Sequence, residues 1–174
     1  MNLPNALTIL RLALVPVFTC LYFTRHVRLA LIVYLAAALT DLLDGYLARR
    51  LNQITPFGKL MDPLADKLMQ VAMLFCLATS RRIPWAVLVT LAIKELYMIA
   101  GSLYMLKKKV VVYANWCGKA ATFALVLAIL LVYPWHGVAW LDQAGLVVLY
   151  AALALSVASA ALYTRGAVKQ LRQC

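Results

Sequence analysis

Acidic residues are nearly missing: six aspartates and glutamates stand among 174 residues, against 17 lysines and arginines. Charged residues of both signs reach only 13%, where a soluble domain carries about one quarter. That scarcity excludes an ordinary water-soluble globule. Histidine occurs twice, at His26 and His136, and the four cysteines (Cys20, Cys76, Cys117, Cys174) show no paired spacing. Zinc sites and disulfide frameworks need such residues at regular spacings, so neither is expected, and the cysteines read as small apolar packers in a reducing setting. Both histidines flank apolar runs far from the acids and suit an interface rather than catalysis. Cys174 is no prenylation site, because that cysteine must stand fourth from the end. Internal repeats and low-complexity segments are also missing.

What is present is apolar: 66% of the residues are hydrophobic, gathered in runs of helix length. A spanning helix needs about 20 such residues, because the hydrocarbon core is about 30 Å thick. The runs predict spans near 5–23, 29–50, 62–80, 84–106, 116–134 and 145–164. The expected fold is therefore an all-α integral membrane protein, a bundle of six transmembrane helices forming one domain over 1–174. Leu12 to Phe23 behind Arg11 resembles a signal peptide, but no small-residue cleavage site follows, so it is read as a retained first helix.

The net charge of +11 does not point to nucleic acid, because the basic residues lie in short clusters beside the apolar runs. Such clusters report topology. With the N-terminus in the cytoplasm, Arg11, Arg49, Arg50, Lys59, Lys67, Lys107, Lys108, Lys109, Lys119, Arg165, Lys169 and Arg172 fall inside. Only Arg25, Arg28, Arg81 and Arg82 fall outside, and Lys94 lies within a span. The bias predicts a multi-pass protein of the cytoplasmic membrane with both termini in the cytoplasm. Lys107-Lys108-Lys109 suits an anchor to anionic headgroups, and Pro134-Trp135-His136-Gly137 an outer turn.

Against this background the acids are conspicuous. Asp41, Asp44, Asp62 and Asp66 all lie in one stretch, DLLDGYLARRLNQITPFGKLMDPLADK. Asp41 and Asp44 are three apart and share a helix face, with Ala48 one turn beyond. Gly58, Asp62 and Asp66 repeat at intervals of four on the next helix. Asp62 before Pro63 predicts a helix start there, with the chain reversing between Asn52 and Lys59. Converging carboxylates near a bilayer need a counter-charge. Oxygen ligands without His or Cys favour Mg²⁺, Mn²⁺ or Ca²⁺ over zinc. Gly45, Ala48 and Gly58 allow close approach of a phosphate-bearing ligand, and Arg49 can bind phosphate oxygens in a fork. The set suits phosphoryl or phosphatidyl transfer better than ion passage.

Asp41-x2-Asp44-Gly45-x2-Ala48-Arg49-x8-Gly58-x3-Asp62-x3-Asp66 resembles the complete signature of the CDP-alcohol phosphatidyltransferases, eight fixed positions over 26 residues. Pro4-Asn5-x2-Thr8-x2-Arg11 resembles that family's opening. The resemblance implies two divalent cations, Mg²⁺ or Mn²⁺, held by Asp41, Asp44, Asp62 and Asp66, with Asp66 doubling as the general base. It implies a cradle for the CDP group of CDP-diacylglycerol made by Gly45, Ala48, Arg49 and Gly58 with Asn5 and Thr8. It also implies a homodimer among membrane lipids, using a small alcohol as acceptor.

The opening, the length and Gly118-Lys119-x2-Thr122 resemble the phosphatidylglycerophosphate synthases within that family, which implies glycerol 3-phosphate as acceptor. Lys119 would then hold the acceptor's phosphate, assisted by Arg11 or Arg165. Two features depart from that pattern: Lys94-Glu95 stands where an Arg-Glu pair is usual, and no Gln follows Thr122 at the expected distance. Phosphatidylglycerol, giving cardiolipin, and inositol phosphate are the alternative acceptors. A small cation transporter is the rival from another class, but it predicts acids on several spans near mid-bilayer. Lys94 and Glu95, being adjacent, are not expected to face each other on a helix. Glu95 is expected to bond elsewhere in the bundle.

Overall fold

A computed structural model describes residues 3–50, 56–108, 116–134 and 137–171; side chains at 3–5, 41–50, 56–60, 62–63, 106–107, 169 and 171 lie outside the description. The described residues form six helices and no strand: α1 (Leu3–Phe23), α2 (Val27–Arg50), α3 (Pro56–Thr79), α4 (Trp85–Lys107), α5 (Trp116–Val132) and α6 (Ala139–Leu171). Three are long and apolar enough to cross a membrane: Ala6–Phe23, Trp85–Met105 and Ala139–Val168. Val27–Thr40 and Trp116–Val132 are shorter apolar helices. The rest of α2 and the start of α3 carry the acidic stretch, which dilutes their hydropathy. Exposed side chains are those that lipid solvates best, such as Ile93 at 62%, Leu96 at 68%, Phe123 at 74% and Val147 at 70%. Apolar surface on that scale is untenable in water. The protein is an all-α integral membrane protein.

The chain divides into two compact units, Met1–Leu77 and Ala78–Cys174. In the first, α1 and α2 pack side by side across a three-residue turn. The Arg25 N–H donates to Tyr22 O and the His26 N–H to Leu21 O, while Arg25 takes φ 64°. That pair of bonds around a left-handed residue is a Schellman closure, which satisfies the last carbonyls of α1. Pro16 sits inside α1, as membrane helices tolerate. Phe18 packs against Tyr22 and, at 6.0 Å between centroids, against Tyr34 of α2. Phe23 meets Phe75 of α3 edge-on at 6.4 Å. The C-terminal ends of α1 and α3 therefore lie together, and α2 runs back along α1.

In the second unit α5 and α6 form a tight hairpin, with Gly137 at φ 68° in the connection. Gly145 marks the close approach: a Cβ there would lie 2.6 Å from Val132 Cγ2 and 2.8 Å from Leu131 Cβ. Small residues let membrane helices approach this way. α4 packs on α6, where Tyr97 and Thr164 share a hydroxyl hydrogen bond of 2.8 Å. α6 has 33 residues, about 50 Å at 1.5 Å per residue, and outreaches the hydrocarbon core.

Two sequence expectations need correction. α3 begins at Pro56 rather than Asp62, so Asp62 is not a cap and Pro63 lies inside the helix. Pro56 fills the same first-turn role without sacrificing an N–H. Of the reversal expected between Asn52 and Lys59, residues 56–59 are helical instead, and 51–55 lie outside the described residues. Lys94 and Glu95 do meet, with Lys94 Nζ donating to Glu95 Oε1 at 2.7 Å. Adjacent residues diverge by about 100° on a helix, yet the long lysine stem bridges that gap, because separated charges in a membrane helix are costly.

Candidate active site

Each helix of the first unit buries one face at alternating steps of three and four. On α1 this face carries Thr8 and Arg11, 0% and 1% exposed, then Phe18 and Tyr22. On α2 it carries Ala30, Tyr34 and Ala37, and the same steps continue to positions 41, 44 and 48. On α3 it carries Ala65, Met69, Met73 and Cys76, and stepping back reaches positions 62 and 58. The α1–α2–α3 directions then bring the start of α1, the end of α2 and the start of α3 to one end of the unit. That end holds the backbone of every fixed position in the acidic signature, all of it helical. A turn at Asp44-Gly45 is thereby excluded, since α2 runs through both residues to Arg50.

Of the four aspartates, Asp66 has a described side chain. It is exposed, beside fully buried Ala65 at the edge of α3's packed face. Tyr34 of α2, packed on Phe18 and lying before the acidic register, is within electrostatic reach of Asp66. Side chains of Asn5, Asp41, Asp44, Gly45, Ala48, Arg49, Gly58 and Asp62 lie outside the described residues. Among the described residues no three His, Cys, Asp or Glu come together, as expected when only one of the four aspartates is among them. Lys67 Nζ donates to Gln70 Oε1 at 3.5 Å along its own helix. Arg11 is as fully buried as Thr8, one turn away on the same face of α1, and its Nε and Nη1 make no hydrogen bond among the described residues.

The remaining candidates belong to the second unit. Lys119 is exposed, its ammonium 4.9 Å from the centre of the Trp116 ring. The Thr122 hydroxyl donates to the Gly118 carbonyl at 3.0 Å, which holds Gly118-Lys119-x2-Thr122 in the first turns of α5. Arg165 is exposed on α6, directly after Thr164. The structure thus brings Thr8 and Arg11 together on α1, and describes Lys119 and Arg165 within a separate unit. Sequence reasoning missed Tyr34, although it stands seven residues before Asp41 and therefore on the same face.

Comparison with known proteins follows from this arrangement. Residues 1–158 match the CDP-alcohol phosphatidyltransferase family. The CDP-diacylglycerol–glycerol-3-phosphate 3-phosphatidyltransferase of Escherichia coli (strain K12) is 33% identical over 174 aligned positions, covering 95% of this chain and 94% of the relative. The proteins of the same name from Shigella sonnei (strain Ss046), at 33%, and Salmonella typhimurium (strain LT2), at 32%, cover the same shares. Divalent-cation dependence is a property of the family. With a match over most of its length and relatives covering nearly all of it, this chain belongs to the CDP-alcohol phosphatidyltransferase family and is a membrane-bound phosphatidyltransferase of phospholipid synthesis.

Proposed function

We propose that the protein transfers the phosphatidyl group of CDP-diacylglycerol to glycerol 3-phosphate and releases CMP. The observation that carries this reading is the full set of eight signature positions on helical backbone at one end of the first unit. The acceptor comes from the relatives, whose names specify glycerol 3-phosphate at 32–33% identity. Phosphatidylglycerol and inositol phosphate are the other acceptors to be tested.

In this reading Asp41, Asp44, Asp62 and Asp66 hold two divalent cations, Mg²⁺ or Mn²⁺. Their donor set fits, because carboxylate oxygens alone suit hard cations. When bound, the cations supply charge neutralisation for the diphosphate and the departing CMP. Asn5, Thr8, Gly45, Ala48, Arg49 and Gly58 cradle the CDP moiety: the small residues admit the phosphates near the backbone, and Arg49 forks onto their oxygens. Asp66 accepts the proton of the acceptor hydroxyl, whose oxygen forms a new bond to the phosphorus bearing diacylglycerol. The bond from that phosphorus to the bridging oxygen breaks, and CMP carries the electron pair away. Asp66's exposure suits this task, since a buried carboxylate could not meet an acceptor arriving from water. Lys119, with Arg11 or Arg165, holds the acceptor's phosphate.

One catalytic domain then spans 1–174 and works as a homodimer in the cytoplasmic membrane, with both termini and the site on the cytoplasmic face. The twelve-to-four distribution of lysine and arginine supports that orientation. The test is CMP release by purified protein in detergent with CDP-diacylglycerol and Mg²⁺ or Mn²⁺, each acceptor offered separately and Asp66→Asn as control. Release with glycerol 3-phosphate alone, lost in Asp66→Asn, is the expected result. Release with another acceptor would keep the chemistry and replace the substrate. No release from folded protein would overturn the reading.

A further inference from the structure

The second unit contains a cavity unrelated to the acidic stretch. It has a volume of about 390 Å³ and lies where α3 turns into α4 beside the first turns of α6. Its floor is apolar, from Ile83, Leu146 and Tyr150, and Trp85 forms one wall. Arg81 and Arg82 line its polar side. The arginines are not equivalent. Arg82 Nη1 donates to Asp142 Oδ2 at 2.7 Å, which fixes the turn to the start of α6. Arg81 is exposed, and no carboxylate pairs with it among the described residues. Its backbone stands at φ 57°, a conformation that non-glycine residues adopt only at a cost.

The level of the cavity is set by the spans around it. The membrane-crossing stretch of α4 begins at Trp85, and that of α6 begins at Ala139, just before Leu146. Trp85 is 51% exposed and Trp140 67%, as amphipathic rings are at headgroup depth. An apolar trough opening there, with an uncompensated guanidinium at its rim, has two-part chemistry: phosphate at one end and hydrocarbon at the other.

We propose that this cavity is a binding site for an anionic phospholipid, its phosphate on Arg81 and the upper part of an acyl chain along Ile83, Leu146 and Tyr150. Arg82, neutralised by Asp142, shapes the rim. Arg81 follows the end of α3, fifteen residues along the chain from Asp66, and none of the signature residues lines the cavity. An anionic lipid is favoured over a zwitterionic one because Asp142 is paired with Arg82, which leaves the charge of Arg81 as the net charge of the rim. One surface arginine contributes about 1 kcal/mol to such binding, or about fivefold in affinity.

Native mass spectrometry of the full-length protein in detergent tests this, with dioleoyl phosphatidic acid as probe, dioleoyl phosphatidylcholine as the zwitterionic comparison and inorganic phosphate as competitor. Arg81→Gly removes the guanidinium and relaxes the positive φ, so it should fold at least as well as the parent and keep its CMP release. Arg25→Gly is a matched control, at φ 64° in the α1–α2 turn. The expected results are about fivefold weaker phosphatidic acid binding in Arg81→Gly, recovery in Arg81→Lys and loss in Leu146→Trp, which fills the trough. Arg25→Gly and Asp66→Asn should bind as the parent does. Equal loss in Arg25→Gly and Arg81→Gly, undiminished binding in Leu146→Trp, or equal binding of phosphatidylcholine would overturn the proposal. So would displacement of the lipid by inorganic phosphate, which would mark a small-anion site instead.

Discussion

The two units use their few carboxylates in opposite ways. In the second, both acids lie in ion pairs of 2.7 Å: Glu95 with Lys94, and Asp142 with Arg82. One pair neutralises charge within the span of α4, and the other ties the α3–α4 turn to α6. In the first unit the four aspartates lie within 26 residues of one another along the chain, on helical backbone of α2 and α3. Pairing an acid with its nearest base is the inexpensive arrangement in a membrane. Gathering four of them in one short stretch calls for a counter-charge that Arg49, Arg50, Lys59 and Lys67, able to reach water, do not fully supply. The difference separates acids paired within the fold from acids to which the proposed function gives a reaction.

The sharpest way to break this comparison is Asp66→Asn. It should lower CMP release by at least about 100-fold while leaving the thermal midpoint in detergent within a degree or two, because Asp66 is exposed at the edge of a packed face. Removing divalent cations with EDTA should likewise abolish turnover, and adding back Mg²⁺ or Mn²⁺ should restore it. A chelated protein that still releases CMP would contradict the role given to the aspartates.

Lys94→Met probes the other class of acid. With side chains 18% and 17% exposed, the pair is largely removed from water, and breaking it should destabilise by about 2 kcal/mol, whereas replacing both residues with methionine should be nearly neutral. A thermal-shift comparison of the single and double variants reads this directly. Gly145→Ala should also destabilise, by about 1–3 kcal/mol. Its Cβ would stand 3.0 Å from the Val132 backbone nitrogen, so the α5–α6 hairpin must part. The smallest effect should be at Arg82→Ala. That ion pair is 33% and 29% exposed, and its loss should cost no more than about 1 kcal/mol without touching CMP release.

Much of this was legible in the residues. Apolar runs located six helices, because a membrane imposes a minimum length and forbids unpaired backbone polar groups. The acidic spacing placed Asp41 and Asp44 on one helix and Gly58, Asp62 and Asp66 on the next, because a helical period needs no tertiary information. Element ends were less legible. Asp62-Pro63 looks like a start signal, yet α3 begins a turn and a half earlier at another proline, since both prolines satisfy the local rule. α6 extends well past 145–164 at both ends, because hydropathy marks the lipid-embedded part of a helix and not its full length.

What the sequence by itself determined is the solvent, the helices and the chemistry. Six acids in 174 residues exclude water as the surroundings, and four at fixed spacing define the reaction. What only the tertiary structure decided is which groups meet across helices. Tyr34 packs on Phe18, Arg82 reaches Asp142 sixty residues away, and Gly145 fits against Val132. Those meetings depend on how helices turn and approach one another, which is set by packing volume and turn geometry. A one-dimensional pattern carries the period of each helix but not the angle or distance at which two of them cross.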